Sequence, residues 1–474
     1  MRKDSLKIKN AAIFIEGYEW GPGVPLVIFE LSGEAKRPVK TGSCVSTDGK
    51  ERKILRLYLS DAQGNPVTDA KQSSRYVAAE LKVTAAVSGN PFTYDHAVTH
   101  MNQWTKQYAL KALLRVDGQE LSFETAHVKQ RICPETDVFA DRSIYAGSYR
   151  NPMTGKKERV RLNLAAYEPE ALLKDKKKNP LVIWLHGMGE GGDDPDIVLL
   201  GNEVVALAQG EIQNQFTTEG GADGAYVLIL QAPTYWMDGG DAGIFAGDKE
   251  SRYTEILMDA ICDYLEKHPD VDRTRIYIGG CSNGGFMTIN MLLRAPGFFA
   301  AAYPICEAYA YHRYARKKDG SYKVRNRKNG FGLTQTQELW VTPEKIALLK
   351  NEAIWFVQSA DDHTVEPAQY AMPTYRELLR AGAKKALFSM FRTVKGTDDP
   401  RAKYPGHFSW VYVFKNQVTR VQDREKIKGA EGKDFGFVPT NDGGGSEIVQ
   451  EGGVSYETIF AWMNAQRAPK GGKL

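Results

Sequence analysis

A glycine-rich turn between a strand and a helix constrains the fold of this chain more than any other feature. The turn reads GGCSNGG over residues 279–285, and it joins the apolar run Arg275–Gly279 to the helical repeat of Asn283–Arg294. A strand that passes directly into a helix is typical of a parallel α/β sheet, in which crossover helices connect the strands. The turn therefore predicts a parallel sheet with helices on its faces.

The sequence from about Arg159 onward repeats this alternation of strand and helix. Short apolar runs predict buried strands, and the segments between them carry apolar residues at helical spacing. The predicted strands are Pro180–Leu185, Ala225–Leu230, Arg275–Gly279, Phe299–Ile305 and Ala353–Gln358, and the predicted helices are Glu255–Lys267, Asn283–Arg294, Pro367–Ala381 and Tyr456–Gln466. We therefore expect a mostly parallel α/β sheet in this part of the chain.

The residues before about 135 have a different pattern, in which short strand candidates alternate with turn signals such as Gly-Asn-Pro and Asp-Gly. This spacing predicts an antiparallel β-sandwich. The candidates are Ala11–Ile15, Pro25–Leu31, Arg52–Leu59, Arg75–Val83, Tyr108–Val116 and Glu120–Phe123, with His96–Gln107 left as a helix or a long loop. The segment Asp141–Lys157, rich in glycine and proline, is the predicted linker.

Composition excludes several classes of protein. A length of 474 residues corresponds to about three domains of ordinary size. The balance of 62 basic and 58 acidic residues gives no general reason to expect nucleic acid or a membrane surface as a partner. Five dispersed cysteines argue against a zinc cluster or a disulfide scaffold. Since no long apolar run or signal-like start is present, we expect no membrane span, and a cytoplasmic location by default unless a signal peptide has been removed.

The 279–285 turn also fits the Gly-x-Ser-x-Gly pattern, which makes Ser282 the predicted nucleophile. The two flanking glycines allow a turn so tight that its central residue projects its hydroxyl above the sheet. Cys281 is the alternative nucleophile, but the preceding position lies in the wall of such a turn. A purely structural glycine turn is the other alternative.

A serine nucleophile requires a base and a group that orients the base. The strand Ala353–Gln358 ends in Asp361-Asp362-His363, at the strand end where catalytic groups of parallel sheets gather. We predict Asp362 as the orienting acid, with Asp361 as a helix cap or solvated carboxylate. His407, in a late Gly-Pro loop, is the predicted base, which gives the chain order Ser, Asp, His.

Backbone N–H groups are expected to stabilise the oxyanion that forms when the serine attacks a carbonyl. We assign the donors to Met188, in the glycine-rich segment after Pro180–Leu185, and to Asn283, directly after the nucleophile. His186 is predicted to brace this loop. The loop has neither Gly-Lys-Ser/Thr nor a helix-opening G-x-G-x-x-G, so we expect no nucleotide. We also expect no other cofactor and no metal.

These motifs resemble the α/β-hydrolase esterases related to polyhydroxyalkanoate depolymerases, feruloyl and acetylxylan esterases, and prolyl-oligopeptidase-like hydrolases. The segment FIEGYEWGPGV from Phe14 is similar to the start of an immunoglobulin-like N-terminal domain in some of these enzymes. The other matching segments are PLVIWLHGMGEGG from Pro180, DRTRIYIGGCSNGGFMTIN from Asp272, FFAAAYPIC from Phe298, AIWFVQSADDHTV from Ala353 and GHFSW from Gly406.

The resemblance implies an immunoglobulin-like β-sandwich over 1–139 and an α/β-hydrolase domain over 140–474. It also suggests that 307–335, a segment with eight Lys/Arg and two Asp/Glu, is a lid or insertion; a solvated excursion is the simpler interpretation. Trp236 and Trp410 are candidate substrate-binding residues, with ordinary packing as the alternative.

The expected activity is that of a serine carboxylesterase acting through an acyl-enzyme on short-chain, aryl or carbohydrate-linked esters. A peptidase of the prolyl-oligopeptidase type is the alternative within the hydrolases. A protein that mainly binds polysaccharide through its β-sandwich is the alternative from another class. The resemblance also implies that the N-terminal domain serves the assembly of a homo-oligomer or shapes the site.

Overall fold

The computed structural model describes residues 5–68, 72–151, 154–240, 246–327, 330–432, 434–469 and 471–472. The chain divides into two compact units. The first unit comprises Met1–Val138, Leu199–Val205 and Asp398–Pro400, and the second comprises Phe139–Val198, Ala206–Thr397 and Arg401–Leu474. The short segments Leu199–Val205 and Asp398–Pro400 of the first unit lie within the predicted second domain, 140–474. The predicted domain bounds of 1–139 and 140–474 remain a prediction.

The first unit is built from β-strands, as predicted. Its elements are β1 (Ile8–Tyr18), β2 (Gly21–Ala35), β3 (Pro38–Thr47), β4 (Lys50–Arg52), β5 (Ile54–Ser60), β6 (Ser74–Leu81), β7 (Phe92–Tyr94), β8 (Asn102–Trp104), β9 (Leu110–Val116), β10 (Gln119–Thr125), β11 (Gln130–Ile132) and the short helix α1 (Pro134–Asp137). The main sheets have the strand orders β11-β1-β2-β6-β5 and β10-β9-β3-β4.

The apolar faces of these two sheets meet in the core of the first unit. Phe29 of β2 packs edge-on against Phe123 of β10, with ring centroids 6.2 Å apart. Alternation along the strands accounts for this, because successive side chains point to opposite faces of a sheet. The expectation of a β-sandwich is therefore confirmed.

The sequence prediction missed several strands of the first unit. β3 was missed because half of its residues are exposed and only Val45 and Thr47 are buried, so it carries no long apolar run. The stretch His96–Gln107, predicted as a helix or long loop, contributes β8, which pairs with β7 in a two-stranded hairpin. Both strands are too short to leave a period-2 pattern in the sequence.

A buried arginine links the two sheets of the first unit. Arg52, at the end of β4, is 2% exposed. It donates to the carbonyls of Val24 (3.0 Å) and Lys82 (3.1 Å) and to the hydroxyl of Thr47 (3.0 Å). Burial lowers the pKa of the guanidinium. Its hydrogen bonds offset the cost of removing the charge from water.

Except for the last three residues of the helix Pro195–Gly201, which belong to the first unit, the remaining elements belong to the second unit. Its strands are β12 (Asp141–Arg150), β13 (Lys157–Tyr167), β14 (Asn179–Leu185), β15 (Tyr226–Gln231), β16 (Val271–Cys281), β17 (Ala301–Ile305), β18 (His312–Tyr314), β19 (Val324–Arg327), β20 (Gly330–Leu333), β21 (Gln335–Leu339), β22 (Ile354–Ser359), β23 (Ala386–Phe391), β24 (Val394–Lys395), β25 (Lys403–Tyr404), β26 (Val449–Glu451) and β27 (Val454–Tyr456). The helices after residue 139 are α2 (Glu170–Lys174), α3 (Pro195–Gly201), α4 (Gly210–Gln213), α5 (Thr254–Lys267), α6 (Asn283–Arg294), α7 (Pro343–Leu349), α8 (Ala371–Arg380), α9 (Trp410–Phe414), α10 (Arg424–Gly429) and α11 (Ile459–Ala465).

The central sheet of the second unit has the order β12-β13-β15-β14-β16-β17-β22-β23. Neighbouring strands from β15 to β23 run parallel, whereas β13 is antiparallel to both of its neighbours. β14, β15, β17, β22 and β23 are buried along their whole length, as expected for strands covered by helices on both faces. The predicted mostly parallel α/β sheet is confirmed.

The predicted linker Asp141–Lys157 is wrong, because most of it belongs to this sheet. β12 pairs with β13 over ten residue pairs, from Asp141↔Ala166 to Arg150↔Lys157. β12 is an edge strand with mostly exposed residues, so its sequence lacks the apolar run that identifies a central strand.

The predicted lid or insertion 307–335 begins inside the core of the second unit. Glu307 and Ala308 through Ala310 are buried. The chain then forms β18, which pairs with β21, and β19, which pairs antiparallel with β20; residues 328–329 of the predicted lid lie outside the described residues. A lid role for the later part of the segment remains a prediction. Within the described ranges, no helix has both the length and the apolar character needed to cross a bilayer.

We expect Arg52→Leu to destabilise the first unit. The substitution leaves the carbonyls of Val24 and Lys82 buried without donors, which costs about 3 kcal/mol in the free energy of unfolding. Calorimetric unfolding checks this as a lower midpoint of the transition that involves the first unit. The control is Arg56→Leu, because the side chain of Arg56 is 63% exposed in its ion pair with Glu80 and exposed pairs contribute little. Equal shifts in the two variants would contradict the role assigned to Arg52.

Candidate active site

Ser282 lies between the end of β16 and the start of α6, in a strained backbone conformation. Its φ is 55° and its ψ is −109°, a combination that L-residues adopt only where the surrounding structure imposes it. Its N–H donates to Ile305 (2.8 Å), and its carbonyl accepts from Phe286 (2.9 Å). The turn is therefore fixed both by the neighbouring strand and by the first turn of its own helix.

The two glycines that flank Ser282 are required by close contacts with β14. A Cβ atom at Gly280 would lie 2.4 Å from the carbonyl oxygen of Leu185, and one at Gly284 would lie 1.9 Å from the same oxygen. Both distances are shorter than van der Waals contact, so no larger residue fits at either position. The Gly-x-Ser-x-Gly pattern is thus explained by the packing of the turn against the neighbouring strand.

Asp362 follows β22 and is held by backbone donors. Its Oδ1 accepts from the N–H groups of Thr364 (2.8 Å) and Val365 (2.9 Å). Its Oδ2 lies 2.9 Å from Nδ1 of His407, and the side chain of Asp362 has no exposed surface. Because a carboxylate only accepts, Nδ1 of His407 carries the proton in this hydrogen bond.

Asp361 does not contact the histidine in this way. Its Oδ1 accepts from the hydroxyl of Ser359 at 2.6 Å, and its backbone lies against Gly406, where an added Cβ would come within 2.5 Å of the Asp361 carbonyl oxygen. Asp361 is partly exposed and bonds to Ser359, so the helix-cap alternative finds no support and the solvated carboxylate remains a prediction. His363 is exposed, as expected.

His407 lies in a short 3-10 turn over residues 406–408, with a side chain that is 13% exposed. With Nδ1 bonded to Asp362, Nε2 is the nitrogen that can exchange a proton with a reacting group. The structure therefore joins the predicted acid and base directly. β16, which ends directly before Ser282, and β22, which ends before Asp362, run parallel with only β17 between them. The structure therefore places the predicted nucleophile at the same end of the sheet as the acid and the base.

The loop after β14 is braced by His186, which is completely buried. Its Nε2 accepts from the N–H of Ala232 at 3.0 Å, so Nδ1 is the donor to the carbonyl of Gly187 at 2.5 Å. Burial lowers the pKa of His186 to about 4, which keeps the ring neutral near pH 7.

The predicted oxyanion donors are Met188 and Asn283. Each is the first residue of a helix, Met188 in a 3-10 turn and Asn283 in α6. The N–H group at such a position has no acceptor within its own helix and can serve a bound anion. The side chain of Asn283 is buried, and its Oδ1 accepts from the backbone of Trp236.

Trp236 and Trp410 do not present a ring face to solvent. Trp236 has no exposed surface and packs against His186 and Tyr253, at centroid distances of 5.0 and 5.8 Å. Trp410 is 5% exposed and stacks on Phe408 at 4.4 Å. This packing favours the structural alternative for both residues, and a role of either in substrate binding remains a prediction.

Cys281, the alternative nucleophile, is 1% exposed, and burial raises the pKa of its thiol well above the usual range. A buried neutral thiol is a poor nucleophile. Glu307 was not singled out in the sequence, yet it is buried beside Gly285 of α6 and accepts from the N–H of Tyr309 at 2.6 Å. Burial raises the pKa of Glu307 to about 8.

In the part of the chain that the structure describes, one group of side chains could hold a metal ion. Oxygens of Asp141 and Glu168 and a nitrogen of His268 lie within 4.8 Å of one another. Nε2 of His268 is already paired with Glu168 at 2.7 Å, and this hydrogen bond raises the pKa of His268. The group includes none of the predicted catalytic residues.

The burial of His186 predicts a pH-dependent term in stability. Its pKa is about 4 in the folded state and close to 6.5 when unfolded, so between these values the unfolded state binds the extra proton. Stability should therefore fall as the pH decreases from 6.5 to 4, by about 3 kcal/mol. Urea unfolding across this range should show a steeper fall for the wild type than for His186→Gln. Identical slopes would contradict a neutral, buried His186.

Two family matches cover different parts of the chain. Residues 255–414 match the prolyl oligopeptidase family, and residues 10–132 match the esterase Ig-like N-terminal domain. The first match includes Ser282, Asp362 and His407, and the second covers most of the first unit. No curated protein matches the sequence.

Among the solved structures that match, a thermostable esterase has a similar fold. The crystal structure of a thermostable esterase is 21% identical, with a TM-score of 0.59, and the match covers 86% of this chain and 97% of that chain. A ferulic acid esterase from Anaeromyces mucronatus, in complex with ferulic acid, is 12% identical over 58% of this chain and 89% of that chain, with a TM-score of 0.36. An acylaminoacyl peptidase is 16% identical over 87% and 56%, with a TM-score of 0.35.

These matches confirm the resemblance that the motifs indicated. The chain joins an esterase immunoglobulin-like N-terminal domain to an α/β-hydrolase domain with a prolyl oligopeptidase family segment, and it is a serine hydrolase of the α/β-hydrolase type.

Proposed function

We propose that the protein is a serine carboxylesterase in which Ser282, His407 and Asp362 form the catalytic triad. The observation that carries the proposal is the 2.9 Å hydrogen bond between Asp362 Oδ2 and His407 Nδ1. Ser282 lies at the same sheet edge in the strained turn of a nucleophile elbow. These residues also have the chain order Ser, Asp, His of this fold.

In the proposed reaction, Ser282 Oγ attacks the ester carbonyl while Nε2 of His407 accepts its proton. The histidine then protonates the leaving alcohol, and water repeats the sequence on the acyl-enzyme. Asp362 remains a carboxylate and orients the ring, since its own position is fixed by two backbone N–H groups. The N–H groups of Met188 and Asn283 stabilise the tetrahedral oxyanion.

An ester substrate is favoured over a peptide by the first unit. Residues 10–132 match a domain named for esterases, and the thermostable esterase is matched over 97% of its own chain. We propose short-chain, aryl or carbohydrate-linked esters as the substrate class. Hydrolysis rates across acetyl, butyryl, octanoyl and feruloyl esters test this assignment. Faster hydrolysis of the octanoyl ester than of the other three would contradict it.

A peptidase is the second candidate, because residues 255–414 match the prolyl oligopeptidase family. A short peptide p-nitroanilide and a p-nitrophenyl ester of the same acyl group separate the two activities. The proposal predicts a higher kcat/KM for the ester than for the anilide. This ratio should exceed the ratio of the rates at which hydroxide hydrolyses the two compounds, which measures their difference in chemical reactivity. Preference for the peptide would favour the second candidate.

Replacement of the nucleophile should abolish catalysis. We expect Ser282→Ala to reduce hydrolysis of p-nitrophenyl acetate by about 10⁶-fold in kcat, to the rate sustained by binding and the oxyanion donors. A fluorophosphonate probe should label the wild type at Ser282, identified by mass spectrometry of the labelled peptide. Ser446→Ala is the control, because Ser446 is exposed and bonded only to its neighbour Glu447 in the described contacts. Retained activity in Ser282→Ala would overturn the proposal.

The adjacent aspartates provide a matched test of the acid. Asp362→Asn should lower kcat by about 10³- to 10⁴-fold, because the amide no longer holds the imidazole in the required tautomer. Asp361→Asn should cost less than about tenfold, since Asp361 bonds to Ser359 and not to His407. A pH profile of kcat/KM measured for both variants checks the assignment. A larger loss at Asp361 would exchange the roles of the two residues.

A further inference from the structure

Gln231, the last residue of β15, places a buried amide under the glycine-rich loop. The residue has no exposed surface. Its Nε2 donates to two backbone carbonyls of the loop, those of Glu190 and Asp194, each at 3.0 Å. A single side chain thus holds two points four residues apart in the segment that carries Met188.

Asn163 of the neighbouring strand β13 contacts both the Gln231 amide and the glycine-rich loop. It is the residue opposite Gln231 in the antiparallel β13–β15 pair. Its Nδ2 donates to Oε1 of Gln231 at 3.1 Å and to the carbonyl of Gly192 at 3.3 Å. The amide of Gln231 therefore has partners at both ends, and its orientation is fixed.

The loop depends on such external contacts because it contains little that would fix its own conformation. Four of its residues between 187 and 192 are glycines, and Gly192 has a φ of +135°. Glycine loses more conformational freedom on ordering than any other residue. The N–H of Gly192 donates to Ala232 at 2.9 Å, so the loop is held mainly by the end of β15 and the residue after it.

We propose that Gln231 is a positioning residue that keeps the Met188 N–H aimed at the oxyanion. This inference rests on the proposed function. An apolar residue would suit the interior position at the end of β15, but it would remove the amide that donates to the carbonyls of Glu190 and Asp194. Oxyanion donors act only when held in place before the reaction, and a displacement of about 1 Å can cost about 10²-fold in rate.

Gln231→Met tests this role, with Gln213→Met as the matched control. Gln213 is also buried, and it also donates its Nε2 to a backbone carbonyl, that of Leu207, and accepts from the N–H of Ala225. None of these residues lies in the 186–194 loop. Gln231→Glu is the second variant, because it keeps an acceptor for Asn163 but replaces the amide donor with an oxygen.

The measurements are kcat and KM for p-nitrophenyl acetate and the inhibition constant of an aryl boronic acid, whose tetrahedral serine adduct places an oxygen in the oxyanion hole. For Gln231→Met and Gln231→Glu we expect kcat to fall by about 10- to 100-fold, KM to stay within about twofold, and boronate affinity to weaken in parallel with kcat. Gln213→Met should keep the wild-type values of all three.

Urea unfolding of the three variants separates positioning from general stability. A folded Gln231 variant with wild-type kcat and boronate affinity would overturn the inference, as would equal losses of kcat in the Gln213 control. If Gln231→Met fails to fold, Gln231→Glu provides the same comparison. Failure of the proposed function is distinguishable, because it would appear as wild-type hydrolysis that persists in Ser282→Ala.

Discussion

The packing of two glycines against one carbonyl oxygen is the constraint on which the site depends. Gly280 and Gly284 both approach the oxygen of Leu185, the last residue of β14, at distances that admit no side chain. This close packing brings the turn that holds Ser282, with its positive φ, against the residue from which the 186–194 loop starts. One steric contact thus sets the nucleophile and the predicted oxyanion donors relative to each other.

Buried polar side chains hold the other loops at this end of the sheet. His186, Gln231 and Asp362 have no more than 1% of their surface exposed, and each directs its polar atoms to backbone groups of the loops around the site. Removal from water makes each of these hydrogen bonds costly to lose. The loops are consequently held rigidly without long helices or disulfides, which suits a site that must be ordered before the substrate binds.

The elements around Ser282 could be predicted from the sequence, whereas strands with an exposed face could not. The strand, turn and helix around Ser282 follow from glycine spacing and apolar periodicity, which act over a few residues. β3 and the edge strand β12 were missed, because a strand with an exposed face needs no apolar run. The burial of Trp236 and Trp410 could not be predicted from the sequence, because it results from packing against His186, Tyr253 and Phe408.

The sequence by itself determined the two fold classes, the elbow and the order of the predicted triad residues, because each depends on residue type and short spacing. Tertiary structure decided which of two adjacent aspartates meets His407, because backbone donors from Thr364 and Val365 orient Asp362 alone. It also decided that Gln231 reaches the 186–194 loop, across 37 and 41 positions of sequence. Contacts between distant segments carry no local pattern, since they arise only when strands from separate parts of the chain align in one sheet.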